Sequence, residues 1–79
     1  MKLNILSEKR ELIILDNVEE TDSILILKYR LELKGLEITK LHLLKTPNKD
    51  DLRLFELEDY MILKDYNIKD NSILQYVLY

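Results

Sequence analysis

The sequence predicts an α+β fold in which a single helix packs across a β-sheet. Segments with apolar residues at every second position stand near both ends of the chain, whereas a helical period occurs once, between residues 19 and 35. The predicted order of elements is therefore hairpin, helix, hairpin, strand. The chain has 79 residues, of which 47% are hydrophobic and 34% charged, and this composition is typical of one small folded domain, here residues 1–79.

The first hairpin is predicted from two apolar segments joined by the charged turn at residues 7–11. One face collects Leu3, Ile5, Ile13 and Leu15, and the opposite face collects Leu6, Leu12 and Ile14. An antiparallel sheet with one face in water usually carries polar residues on that face. The outer side of this hairpin is therefore unusually apolar.

The helix is predicted from its end signals and its periodicity. Asp22 and Ser23 are candidate N-cap residues, Lys34 gives the last turn a positive charge, and Gly35 is the residue type favoured just past a helix end. The apolar residues form two stripes, a core stripe of Ile24, Leu27 and Leu31 and a second stripe of Leu25, Tyr29 and Leu33. A helix with two apolar stripes is either deeply set or covered by a partner.

The second half of the chain predicts three further strands. Residues 36–46 are extended, the only proline opens a turn at 47–51, residues 52–57 return as a short strand, and residues 58–72 are irregular. Residues 72–79 form the last strand, with Leu74 and Tyr76 on one face and Gln75, Val77 and Tyr79 on the other.

The closing segment ILKDYNIKDNSILQYVL, residues 62–78, resembles the end of ubiquitin. The matching positions are Leu63, Asp65, Tyr66, Asn67, Ile68, Ser72, Leu74, Val77 and Leu78. Together with a hydrophobic pattern that matches over the whole chain, they identify a ubiquitin-like domain. The resemblance implies a β-grasp of order β-β-α-β-β-β, a mixed sheet of four to five strands with one helix across it and the first strand central, beside the last. It also implies structural roles for Tyr66, whose hydroxyl would bond to nearby backbone, and Ile68, which would fill the core.

One departure from the family bears on function. Conjugable members end in a flexible tail with a terminal Gly-Gly, whereas this sequence stops at Tyr79 on the last strand. The resemblance therefore favours a non-conjugated interaction module of the ubiquitin-proteasome system. The alternatives are a conjugable modifier whose Gly-Gly tail lies beyond residue 79, a standalone ligase adaptor similar to elongin B, and, less favoured, a sulfur carrier.

Composition and spacing argue against other classes of function. The net charge is −3 and the basic residues form no stripe, so a nucleic-acid partner is not expected. No apolar run is long enough to predict a membrane span. No ligand spacing is typical of a metal site, so no cofactor is expected. Because the chain has no cysteine, it is predicted to work in the cytoplasm or nucleus. His42 has no nucleophile or carboxylate cluster that the sequence places beside it, so we expect no enzyme.

The remaining candidate for function is the surface. On the family strand order the outer sheet face would carry a patch that we expect to bind partners, made of Leu6, His42, Leu44, Gln75, Val77 and Tyr79. Single exposed apolar residues are ordinary, whereas a contiguous group marks an interface. The competing surface is the second helix stripe of Leu25, Tyr29 and Leu33. The expected partner is a protein such as a ubiquitin receptor, a ligase or a proteasome component, bound by a monomer or by a subunit of a hetero-complex.

Overall fold

The α+β fold predicted from the sequence is confirmed in a computed structural model that describes residues 1–46 and 55–79. The strands are β1 (Leu3–Ser7), β2 (Leu12–Leu15), β3 (Leu41–Lys45), β4 (Phe55–Glu56) and β5 (Ile73–Leu78). The helix α1 spans Ile24–Glu32, and two short 3-10 helices span Ile38–Lys40 and Leu63–Tyr66. The predicted turn at 47–51 and the start of the predicted strand at 52–57 lie outside the described residues.

The five strands form one mixed sheet in the order β2-β1-β5-β3-β4. The pairing of β1 with β5 is parallel, and the other three pairings are antiparallel. This order, with one helix packed across the sheet, is that of a β-grasp-like fold. As the resemblance implies, the first strand lies inside the sheet beside the last, between β2 and β5.

Alternation along the strands separates the core from the outer face of the sheet. The sheet contributes Leu3, Ile5, Leu15, Leu41, Leu43, Leu74 and Tyr76 to the buried core. In the first hairpin, by contrast, Leu12 and Ile14 are 54% and 42% exposed on the opposite face. The inner and outer faces predicted for this hairpin are therefore those that the structure has.

The helix begins at the predicted cap. The Ser23 hydroxyl accepts a hydrogen bond from the Ile26 N–H at 3.2 Å, which satisfies one of the amides that have no partner within the helix. The core stripe of Ile24, Leu27 and Leu31 is fully buried, as predicted.

The helix ends earlier than its apolar pattern suggests. Regular α-helix stops at Glu32, so Leu33 and Lys34 fall in the closing turn. There the Gly35 N–H donates to the Glu32 carbonyl and the Leu36 N–H donates to the Leu31 carbonyl, at 2.9 and 3.2 Å. Gly35 has a φ of +105°, which side chains disfavour, and it thus turns the chain out of the helix.

One hydroxyl helps to hold the irregular segment between β4 and β5. The Tyr66 hydroxyl accepts a hydrogen bond from the Glu58 backbone N–H at 2.9 Å, which is the kind of contact that the resemblance implies. The Tyr66 ring also lies 6.0 Å from the Phe55 ring, and Ile68 is buried in the core. Asn67 has a φ of +56°, a conformation that asparagine tolerates better than most residues.

A lysine side chain is buried where this segment meets the helix. The Lys28 ammonium lies 2.6 Å from an Asp59 carboxylate oxygen, and the two side chains are 8% and 40% exposed. The Leu25 N–H donates to the Asp59 carbonyl at 3.0 Å, so Asp59 binds the helix through both its side chain and its backbone. A buried ammonium without a partner is costly, and this ion pair therefore fixes the segment against α1.

Tyr66→Phe is expected to lower the free energy of unfolding by about 1–3 kcal/mol, because the Glu58 N–H loses its acceptor. Urea denaturation followed by circular dichroism measures the change. The matched control is Tyr60→Phe, since the Tyr60 side chain is 89% exposed and should tolerate the loss of its hydroxyl. Equal midpoints for the two variants would show that the Tyr66 hydroxyl does not stabilise the segment.

Asp59→Ala is expected to cost about 1–3 kcal/mol of folding stability, because it leaves the Lys28 ammonium buried without an anion. Lys28→Met removes the ammonium and keeps a side chain of similar length, so it should cost less. Denaturation of both variants gives the order. If Lys28→Met were the more harmful change, the ion pair itself would be a net source of stability.

Candidate interaction surface

The outer face of the sheet carries a row of five residues, one from each strand. Strand register pairs Leu12 with Leu6, Leu6 with Gln75, Gln75 with Leu44, and Leu44 with Glu56. Residues directly opposite one another on a sheet face have Cβ atoms about 4.5–5.5 Å apart, so neighbouring side chains in this row touch. Three leucines thus stand in one line, and Gln75 lies at the centre of it.

A second pair extends this surface toward the end of β5. Val77 is directly opposite His42, and both side chains are half-buried on the outer face. Leu44 and Val77 lie on neighbouring strands, diagonally across from each other. Gln75 is directly opposite Leu44 and occupies the centre of the row.

The Gln75 amide is available for recognition. Within the described part of the chain, no other residue hydrogen-bonds to this side chain, which is half-buried between Leu6 and Leu44. A groove beside it is lined by Leu6, Ser7, Glu8, Arg10, Leu44, Gln75, Tyr76 and Val77. An amide offers two donors and one acceptor oxygen, so Gln75 can fix the orientation of a group that covers the leucines.

His42 belongs to a polar cluster at the border of this surface. Its Nδ1 lies 2.8 Å from a carboxylate oxygen of Glu56, and its ring stacks on Tyr79 with centroids 4.4 Å apart and planes at 15°. The Tyr79 N–H also donates to the Lys40 carbonyl, which holds the end of the chain against β3. Tyr79 is 76% exposed, so the cluster presents an aromatic ring to a partner.

The helix presents a second apolar surface, which contains two of the three residues predicted for it. Leu25 is half-buried beside Asp59, so the second stripe does not begin there. The exposed side chains are Ile26, Tyr29 and Leu33, at 46%, 51% and 87%. These three residues are spaced by three and four positions, as residues on one helix face are. The same spacing in the sequence could have identified Ile26 as a member of this face.

Sequence reasoning missed two other contributors to the outer sheet face. Ile73 is 50% exposed and shares this face with Gln75 and Val77, and its position two residues before Gln75 was the available signal. Glu56 binds His42 across the sheet, but its pairing with Leu44 depends on the register between β3 and β4. No periodic pattern in the sequence indicates that contact.

The described residues carry neither a cluster of metal ligands nor a membrane-spanning helix. They include no group of three or more histidine, cysteine, aspartate or glutamate side chains placed to hold a metal ion. Among the helices in the same part of the chain, none has both the length and the apolar content required to cross a bilayer. The arrangement of the outer face is one that suits contact with another macromolecule.

No protein-family model matches this chain, and no curated protein matches it either.

The neutral His42 imidazole is expected to carry its proton on Nδ1. An ionised carboxylate only accepts hydrogen bonds, so the 2.8 Å contact with Glu56 requires a donor at that nitrogen. Long-range ¹H–¹⁵N correlation spectra in mildly alkaline buffer assign the tautomer. Glu56→Ala removes the acceptor and should raise the population of the Nε2–H form, whereas an unchanged spectrum would mean that the two side chains do not bond in solution.

Proposed function

We propose that this chain is a non-conjugated ubiquitin-like module that binds protein partners through the outer face of its sheet. The observation that carries the proposal is the row across the sheet, in which Leu12, Leu6 and Leu44 stand in line with Gln75, whose amide has no hydrogen bond to another described residue. The ubiquitin-like assignment is supported by the closing segment and by the β-grasp-like order of strands.

The chemistry of this face is that of a protein interface. Binding sites between proteins commonly have an apolar centre, a polar rim and a few groups whose hydrogen bonds fix orientation. Here the leucines and Val77 supply the apolar centre, and Gln75 supplies the orienting group within it. Glu8, Arg10 and the His42–Glu56 pair supply charges and donors at the rim.

The partner that suits this face is a ubiquitin-receptor domain that offers an apolar surface of its own. Receptors, ligases and proteasome components of the ubiquitin system are the protein classes in which such a domain would occur. The chain contains no cysteine, which suits the reducing cytoplasm and nucleus where that system works. In this proposal binding is the whole activity, and the chain catalyses no reaction.

A second candidate is an adaptor that docks through its helix. The exposed stripe of Ile26, Tyr29 and Leu33 favours it, because three apolar side chains on one helix face are costly to leave in water. The two candidates use opposite sides of the molecule: the core separates the outer sheet face from α1. They can therefore be tested separately.

The double change Leu44→Ala and Val77→Ala is expected to weaken binding to a ubiquitin-receptor domain by about tenfold or more, because central aliphatic side chains carry much of the affinity of an interface. A panel of purified receptor domains is titrated into the ¹⁵N-labelled chain. Amide shifts of β1, β3 and β5 locate the contact, and isothermal calorimetry gives the dissociation constants.

The matched control is Tyr29→Ala with Leu33→Ala, which truncates two exposed residues of the helix stripe. This variant should bind receptor domains as the unchanged chain does. Circular dichroism confirms that both double variants remain folded. If the helix variant loses binding and the sheet variant keeps it, the adaptor that docks through α1 replaces the proposed module.

A further inference from the structure

Strand β2 forms an open edge of the sheet. It pairs with β1 on one side, and among the described residues no strand lies on its other side. Its sequence, Leu-Ile-Ile-Leu, contains no charged residue and no proline. Natural edge strands are usually protected from pairing with another chain by charges, proline or bulges. This edge has none of those protections within β2.

The backbone groups of Leu12 and Ile14 point to the open edge. The Ser7 N–H donates to the Glu11 carbonyl at 2.9 Å, so that pair is hydrogen-bonded, and alternation along an antiparallel ladder makes Ile5 and Ile13 the next bonded pair. The Asn4 N–H donates instead to the Ser72 carbonyl beside β5, so it faces away from its opposite residue Ile14. The amide and carbonyl groups of Leu12 and Ile14 therefore face outward.

We infer that β2 pairs antiparallel with β2 of a second copy of this chain. The two-fold axis would pass between the two copies of Ile13, which places Leu12 of each copy opposite Ile14 of the other. Each of these two pairs would exchange both of its backbone hydrogen bonds, so the four outward groups of each copy would all be satisfied. The exposed leucine and isoleucine side chains would also cover one another on the outer face.

Charge complementarity supports this register and this occupant. Arg10 lies in the turn before β2, with a φ of +64°, and Asp16 directly follows the strand. With Ile13 opposite its own copy, Arg10 therefore lies near Asp16 of the second copy at each end of the strand pair. Arg10 and Asp16 are both exposed, and neither side chain forms an ion pair with another described residue. A second copy therefore brings opposite charges to both ends of the shared strand pair.

An existing contact argues against the nearest alternative register. The backbone carbonyl of Asp16 is the next outward-facing group along the edge. It already accepts a hydrogen bond from the Arg30 guanidinium. Shifting the axis to Ile14 would require that carbonyl to bond to Leu12 of the second copy.

This inference concerns a different surface from the proposed function and does not depend on it. At sufficient concentration the chain would form a dimer instead of the expected monomer, and the two sheets would join into one continuous sheet. The outer-face row of each copy would remain uncovered except at Leu12. A dimer of this kind would present two receptor-binding faces on the same side of a sheet of ten strands.

Sedimentation equilibrium of the full chain from micromolar to millimolar concentration tests the inference. The expected result is a concentration-dependent rise in mass from 9.5 kDa toward twice that value. Ile14→Lys should raise the dimer dissociation constant by roughly tenfold or more, since it places an ammonium group in the shared strand pair. The matched control is Ile73→Lys, because Ile73 is similarly exposed on the same face but lies on central β5.

Charge reversal tests the register without altering the apolar strand. Arg10→Glu and Asp16→Arg should each weaken the dimer, because each places like charges near one another, and the double variant should regain most of the lost affinity. An unchanged chain that stays monomeric at all concentrations overturns the inference, even if it captures an extended peptide of another protein. Equal loss of association in Ile14→Lys and Ile73→Lys also overturns it, because the copies would then stack through their outer faces.

Discussion

The parallel pairing of β1 with β5 joins the two ends of the chain and determines where everything else can lie. It places the last strand at the centre of the sheet, between the first hairpin and β3. The Lys2 N–H donates to the Asp70 carboxylate and the Asn71 N–H donates to the Lys2 carbonyl, so hydrogen bonds to the chain start also fix the approach to β5. Without this pairing, the hairpin of β1 and β2 would be separate from the other three strands, and isolated hairpins are at best marginally stable in water.

Successive side chains of the central strand β5 point alternately to the core and to the outer face. Leu74 and Tyr76 are buried against the helix side, whereas Gln75 and Val77 lie on the outer face. Because side chains alternate strictly along a strand, a slip of one residue in β5 would exchange the two sets. Core packing of Leu74 and Tyr76 therefore also fixes where Gln75 stands between the leucines of β1 and β3. The precision of the proposed binding face depends on residues that no partner touches.

Much of this architecture could be predicted from local sequence, because period and end signals are local properties. Alternation predicted the two faces of β1 and β2, and Ser23 and Gly35 marked the helix ends near where they occur. The sequence did not reveal the burial of Lys28, since its partner Asp59 lies 31 positions away and only the tertiary fold brings them together. The diagonal placement of Leu44 and Val77 was missed for a similar reason: register between strands depends on turns and packing, which no single-strand pattern contains.

The position of β5 also has a consequence for biosynthesis. Residues near the two ends of the chain are hydrogen-bonded across a sequence separation of 68, as between Lys2 and Asp70. During translation the first hairpin and the helix leave the ribosome before the strand that unites them, so the sheet can close only after β5 has been made. Until then the apolar groups of β1, β2 and α1 have no central strand to cover them, and contacts of long sequence separation form slowly even afterwards. A nascent chain of this design thus passes through an interval in which its apolar groups need protection from aggregation.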